Sequence, residues 1–88
     1  GEPRPVSRIG PGRASVRGDT AVQTVNDALE LGLPAYGDGT VASLLVDELG
    51  ESPEAGASVA IGEARLTVRS LSDDGRVQRA LVERIETK

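Results

Sequence analysis

The sequence predicts an α+β fold: an N-terminal hairpin, two helices, then a three-stranded antiparallel meander, with both helices packed on one face of the sheet. Three observations carry this. Apolar residues recur at helical spacing at Val22, Val25, Ala28 and Leu29, and again at Val41, Leu44, Leu45 and Leu49, whereas from Val59 onward the period becomes twofold. Glycine and proline punctuate the chain at Gly10-Pro11-Gly12, Gly32-Leu33-Pro34, Gly50 to Pro53 and Gly62. A length of 88 residues with 38% hydrophobic content fits one domain, residues 1–88, at a size where only about 60% of the unfolded surface is buried.

Each element has a local reason. Gly1 to Pro5 favours turns and extended backbone and is expected to be a frayed linker. Pro5–Ile9 and Arg13–Val16 flank the turn cluster Gly10-Pro11-Gly12 and form the first hairpin. Thr20 and Gln23 have capping-box spacing, and the first helix runs from there to near Leu31, with Gly32 as its stop. Pro34 disfavours helical geometry at Leu33, so Pro34–Gly39 links the two helices. Thr40 stands where an N-cap belongs and Gly50 follows Leu49 as a C′ glycine. Between them the apolar stripe faces inward, while Ser43, Asp47 and Glu48 face away.

Glu51 to Gly56 is an exposed turn. Val59 and Ile61 alternate with Ser58 and Ala60. Gly62-Glu63 suits a two-residue type II′ turn, and Ala64, Leu66 and Val68 alternate with Arg65, Thr67 and Arg69. Asp73-Asp74-Gly75 turns the chain into a last strand, Arg76–Ile85, in which Val77 is out of phase with Ala80 and Val82. A β-bulge near Gln78-Arg79 accounts for the slip; coverage of both strand faces, with Leu81 and Ile85 as its evidence, is the alternative.

Composition excludes several classes of chemistry. With no His and no Cys, the commonest general base, thiol nucleophiles, disulfides and the usual zinc ligands are absent, and no G-x-S-x-G elbow presents a serine. The sole lysine is the terminal Lys88, so no catalytic residue is assigned and no enzyme is expected. The core must be built from Val, Leu, Ile and Ala, because Phe and Trp are missing and Tyr36 is the one aromatic residue. A net charge of −4 argues against general binding to nucleic acid or to an anionic membrane, and no apolar run approaches the ~18 residues of a span. The chain begins with Gly1 rather than Met and reads as part of a longer protein.

Three groups of residues are candidates for a site. Asp38, Asp47, Glu48, Glu51 and Glu54 gather around the second helix, and such oxygen ligands suit Ca²⁺ or Mg²⁺. Solvated carboxylates are the ordinary case, however, and EF-hand spacing is missing, so no metal ligand is assigned. Asp73 and Asp74 are read as turn formers. Arg65, Arg69, Arg79 and Arg84 make a basic stripe able to hold a nucleotide phosphate or an acidic partner surface. The commoner role of such arginines is to guard a strand edge and keep the domain soluble. Tyr36, between the helices, is a candidate anchor for a partner, although a lone tyrosine more often packs its ring on its own loop.

A resemblance then covers nearly the whole chain. Val16-Arg17-Gly18-Asp19-Thr20, Val25-Asn26-Asp27-Ala28-Leu29, Leu33-Pro34, Gly39-Thr40-Val41-Ala42, Leu49-Gly50-Glu51-Ser52-Pro53 with Gly56, and Asp74-Gly75-Arg76-Val77 follow one another as in the transporter-associated domain of the CorC/HlyC family, which the sequence resembles. Its most specific parts are the Leu-Pro and Gly-Thr pairs before the second helix and the Leu-Gly-x-x-Pro-x-x-Gly run after it. The resemblance implies a non-catalytic accessory domain on the cytoplasmic side of an inner membrane. Such a domain belongs to a larger protein with a transmembrane module and paired CBS domains, and modulates ion transport such as magnesium or cobalt efflux. Its implied partners are those other domains, with self-association when detached from them. The name hemolysin carried by some relatives says little about this chain. The fold is grouped with a subdomain of flavin-binding oxidoreductases, but the sequence has neither a glycine-rich phosphate loop nor an aromatic residue to cover an isoalloxazine, so no cofactor is expected. The alternative is a sensor of a small molecule, a nucleotide (FAD by that fold analogy) or a divalent cation.

Overall fold

The computed structural model describes residues 6–85. In chain order the elements are β1 (Val6–Gly10), β2 (Arg13–Arg17), α1 (Val22–Leu29), α2 (Val41–Leu49), β3 (Ser58–Ile61), β4 (Ala64–Leu71) and β5 (Val77–Arg84). They form one five-stranded antiparallel sheet in the order β1-β2-β5-β4-β3. The hairpin and the meander are thus a single sheet, joined where Ser15 of β2 pairs with Leu81 of the central strand β5. The expected frayed linker, including Pro5, lies outside the described residues.

Turn chemistry sets both tight hairpins. Gly10 pairs with Arg13 across Pro11-Gly12, where proline fixes its own φ and Gly12 takes φ +67°. Ile61 pairs with Ala64 across Gly62-Glu63, and positive φ falls on Gly62 (+58°) but not on Glu63, as a type II′ turn requires.

The helices cover one face only. Ala14, Val16, Leu66, Val68, Ala80 and Val82 from the sheet pack against Val22, Val25 and Leu29 of α1 and Val41, Leu44 and Leu45 of α2, all buried. Full burial of each large aliphatic side chain contributes roughly 1.5–3 kcal/mol, and this single layer is the main source of stability.

Two helix boundaries differ from expectation. The N-cap of α1 is Ala21, one residue beyond the expected Thr20, and it has no side-chain oxygen. Backbone groups satisfy two of the first-turn donors: Val22 N–H donates to Gly39 O (2.8 Å) and Thr24 N–H to Ala21 O (3.0 Å). The helix also stops before Gly32. Glu30 is its C-cap in the left-handed region (φ 56°, ψ 52°), and Leu31 N–H donates to Asn26 O at 3.0 Å. The side chain of Asn26 then holds the departing chain at two points, donating to Leu33 O (3.0 Å) and accepting from Leu33 N–H (2.8 Å). This clamp, rather than a glycine stop, turns the chain toward Pro34.

The phase slip in β5 is a bulge, as expected, and β4 has one opposite it. Val68 pairs with Ala80, Ser70 with Arg79 and Leu71 with Val77, so Arg69 on β4 and Gln78 on β5 are each inserted. Val68 to Leu71 and Val77 to Ala80 are both three-residue steps, and the paired insertions keep all four side chains on the helical side. Leu81 is nevertheless only 8% exposed on the opposite face, outside the core cluster, so the partial coverage offered as an alternative coexists with the bulge.

Candidate functional site

The face of the sheet that the helices leave open is defined by strand alternation. Because Ala14 and Val16, Leu66 and Val68, and Ala80 and Val82 point to the helices, the residues between them point away. The ladder places Leu81 at the centre, with Ser15 and Thr67 directly across. Diagonal to it stand Arg13 and Arg17 on β2 and Arg65 and Arg69 on β4, and along its own strand stand Arg79 and Glu83. Five arginines and one glutamate therefore surround one apolar side chain, and their aliphatic stems are in reach to cover it.

These arginines are not equivalent. Arg13 Nε lies 3.3 Å from Glu83 Oε2, and Arg17 Nη2 donates to Asp19 Oδ2 at 2.8 Å. The guanidinium groups of Arg65, Arg69 and Arg79 have no ion pair or hydrogen bond to any other described residue. Off this face the arginines are engaged: Arg8 donates to Ala28 O, Arg76 Nε lies 3.5 Å from Asp74 Oδ2, and Arg84 reaches Glu63 (3.6 Å) and Leu29 O (3.5 Å). Of the four residues of the expected stripe, three share the open face. Arg84 sits in register with the core residue Ala64 and projects to the helical side, where it closes the end of α1. An edge-guarding role does not fit Arg65 and Arg79, which are paired on both sides, whereas Arg69 lies on β4 beyond its last pair with β3, Ser58–Thr67.

The opposite layer carries the opposite charge. From Gly18 to Ala64 there is no Lys or Arg, while nine acidic residues occur from Asp19 to Glu63. Charge is thus segregated, with acid concentrated on the helices and loops and arginine on the open sheet face.

Among the described residues no three carboxylates come together in a group able to hold a metal. Asp38 is instead occupied by the start of α2. Its Oδ1 accepts from Ser43 Oγ–H (2.6 Å), Thr40 Oγ1–H (2.7 Å) and Thr40 N–H (3.1 Å), and Thr40 Oγ1 accepts from Ser43 N–H (3.2 Å) as the expected N-cap. These hydrogen bonds, led by that from Ser43, lower the carboxyl pKa from 3.8 to about 2. Asp74 is also held below its ordinary value, chiefly by the hydrogen bond from the Ser72 hydroxyl, within the turn expected there. Tyr36 is 40% exposed in the loop between the helices, and the structure does not bring it to the arginine face.

Two shallow clefts flank these surfaces. One of about 370 Å³ lies at the end of the open face among Arg17, Asp19, Ser72, Val77, Gln78 and Arg79. The other, about 270 Å³, lies between Leu31–Leu33 and the β3–β4 turn. Neither gathers a nucleophile with a base, and among the described residues no buried side-chain polar atom lacks a partner.

Gly18 is a structural residue whose role sequence reasoning missed. A Cβ there would lie 1.9 Å from Val77 O. Its N–H donates to Gln78 O (2.9 Å) and its carbonyl accepts from Ala42 N–H (2.9 Å), so β2, β5 and α2 meet at this point. The only signal was the glycine inside Arg17-Gly18-Asp19, where no turn geometry demands one.

Comparison with known proteins follows the same outline. A family model described as "Transporter associated domain" (CorC_HlyC) matches residues 7–86. No curated protein matches the chain. Among solved structures, the region associated with a proposed Mg²⁺ and Co²⁺ transporter (CorC) from Neisseria meningitidis is 22% identical, with TM-score 0.80, covering 93% of this chain and 100% of that one. The transporter-associated domain of a CBS domain protein from Porphyromonas gingivalis is 22% identical, TM-score 0.77, covering 94% and 100%. The corresponding domain of a Xylella fastidiosa hemolysin, solved in complex with Mg²⁺ and Mn²⁺, is 17% identical, TM-score 0.77, covering 94% and 100%.

Proposed function

Because this chain belongs to the CorC_HlyC transporter-associated domain family, we propose that it is a non-catalytic accessory domain of a membrane ion transporter, modulating Mg²⁺ or Co²⁺ movement through protein contacts. It acts from the cytoplasmic side of the membrane. No helix among the described residues is long and apolar enough to cross one. The observation that carries the reading is the architecture: one sheet face closed by helices and the other left open by them over five strands. A CBS pair and a transmembrane module of the same protein are the contacts this reading requires.

The test compares the full-length protein with a version lacking this domain, reading Mg²⁺ and Co²⁺ flux in cells. A changed rate with transport retained is expected; identical flux overturns the reading.

A cation sensor is the second reading, favoured by the Mg²⁺ and Mn²⁺ held by the Xylella relative. Set against it are the scattered carboxylates and the engagement of Asp38 in the α2 cap. A saturable rise in Tm with millimolar Mg²⁺ or Mn²⁺, following RT ln(1 + [L]/Kd), supports the sensor, and an unmoved Tm removes it.

A further inference from the structure

We propose that the open face of the sheet docks an acidic surface of another protein domain, with Arg65, Arg69 and Arg79 as its charge contacts around Leu81. The proposal rests on the accessory-domain reading and names the surface through which that role is exercised.

Charge is the first argument. The three guanidinium groups have no partner among the described residues, in a chain with more acid than base, and all three lie on one face of two adjacent interior strands. An arginine fork matches a carboxylate bidentately, so three such forks call for a partner rich in Asp and Glu.

Spacing favours an extended partner surface over a single small anion. Arg65 and Arg69 are four residues apart on β4, about 13 Å along the strand, and Arg79 stands across from the Arg69 end. Arg69 and Arg79 are near enough to share one anion, but the three together, with Arg65 at the far end, match carboxylates spread over a surface better than one phosphate. Of the three, only Arg79 lines the cleft at the rim of the face.

A lipid surface fits less well. The face presents Ser15, Thr67, five arginines and Glu83, no aromatic residue, and an apolar centre that is 8% exposed and has little to insert. A second copy also fits less well. Two open faces set against each other would oppose their arginines, whereas the acidic layer of one copy on the basic face of the next is an open-ended contact between chains of net charge −4.

The experiment places a photo-crosslinking amino acid at Thr67 in the full-length protein in its own cells and maps the adduct by mass spectrometry. The expected product is a protein segment rich in Asp and Glu. Its yield should fall about tenfold in the Arg65→Gln/Arg69→Gln/Arg79→Gln variant, as three modest ion pairs would give. Changing the crosslinked carboxylates to arginine should restore the yield in an Arg65→Glu/Arg69→Glu/Arg79→Glu variant. A lipid adduct, an adduct to a second copy, a yield insensitive to the arginines, or no adduct overturns the proposal. The outcomes also separate it from the reading beneath it. An arginine-dependent adduct with unchanged ion flux on domain removal keeps the docking face and rejects the transport role; changed flux without an adduct does the reverse.

Discussion

Single residues at two positions determine how the layers are joined. At Gly18 the backbone of β2 passes so close to β5 that a methyl group has no room, its nearest neighbour being the Val77 carbonyl at 1.9 Å. Gly18→Ala should therefore cost about 3 kcal/mol, a fall in Tm of roughly 12–24 °C for a domain of this size, measured by thermal denaturation. Gly32→Ala is the control. A methyl group at Gly32 would meet nothing within 4 Å and its φ is not positive, so stability should hold or rise by about 0.4–1 kcal/mol. A large loss there would restore Gly32 as the helix stop in place of Glu30. Asp38 makes a prediction in pH. Its folded pKa, about 2, is depressed below the ordinary 3.8, so its contribution is present above pH ~4 and is lost as pH falls toward 2. Asp74 is depressed in the same direction. Urea midpoints at pH 5, 3 and 2 should thus fall less steeply for Asp38→Asn than for the wild type; parallel curves would show that the cap network holds no charge.

Elements show where local rules suffice and where they do not. The α2 cap was legible because Thr40 and Gly50 bracket an amphipathic run, and the β3–β4 hairpin because Gly62 sits where positive φ is needed. The bulge at Gln78 was legible from the phase of Val77; its counterpart at Arg69 had the same signal in Leu71, three residues beyond Val68. The ends of α1 were not, because tertiary bonds replaced local ones. Gly39 O takes the place of a capping side chain, and Asn26 reaches seven residues forward to Leu33. The pairing of β2 with β5, across more than sixty residues of chain, leaves no local trace at all. Of the candidate site, the type and spacing of Arg65, Arg69 and Arg79 were legible, but their placement on interior strands, and the departure of Arg84 to the helical side, needed the strand order. The Asn26 clamp gives an element-scale prediction. Asn26→Ala leaves Leu33 N–H and C=O without their partners in a half-buried setting and should cost about 1–3 kcal/mol, with hydrogen exchange accelerating first at Leu31 to Leu33. Exchange that quickens uniformly instead would mean the loop and helix open as one unit.

At the scale of the whole molecule, the open sheet face gathers five arginines and one glutamate, so it presents a local positive field of its own. Net charge alone, −4, hides this. The arrangement also decides between a structural and a recognition role for Arg65, Arg69 and Arg79. If they served stability, removing them would weaken the fold; yet they have no partner among the described residues, so Arg65→Gln/Arg69→Gln/Arg79→Gln should change the unfolding free energy by no more than about 0.5 kcal/mol per site. If they served solubility, the variant would aggregate. Its net charge, however, moves from −4 to −7, because three positive charges are removed, and greater net charge favours dispersion. The expected triple variant is folded and has the same oligomeric state as the wild type by sedimentation, with Tm shifted by no more than the roughly 6–12 °C that such a change at three sites allows. Precipitation or a broad loss of Tm would return the arginines to a structural role, whereas an intact, soluble variant leaves recognition as the reason for three guanidinium groups gathered on one face.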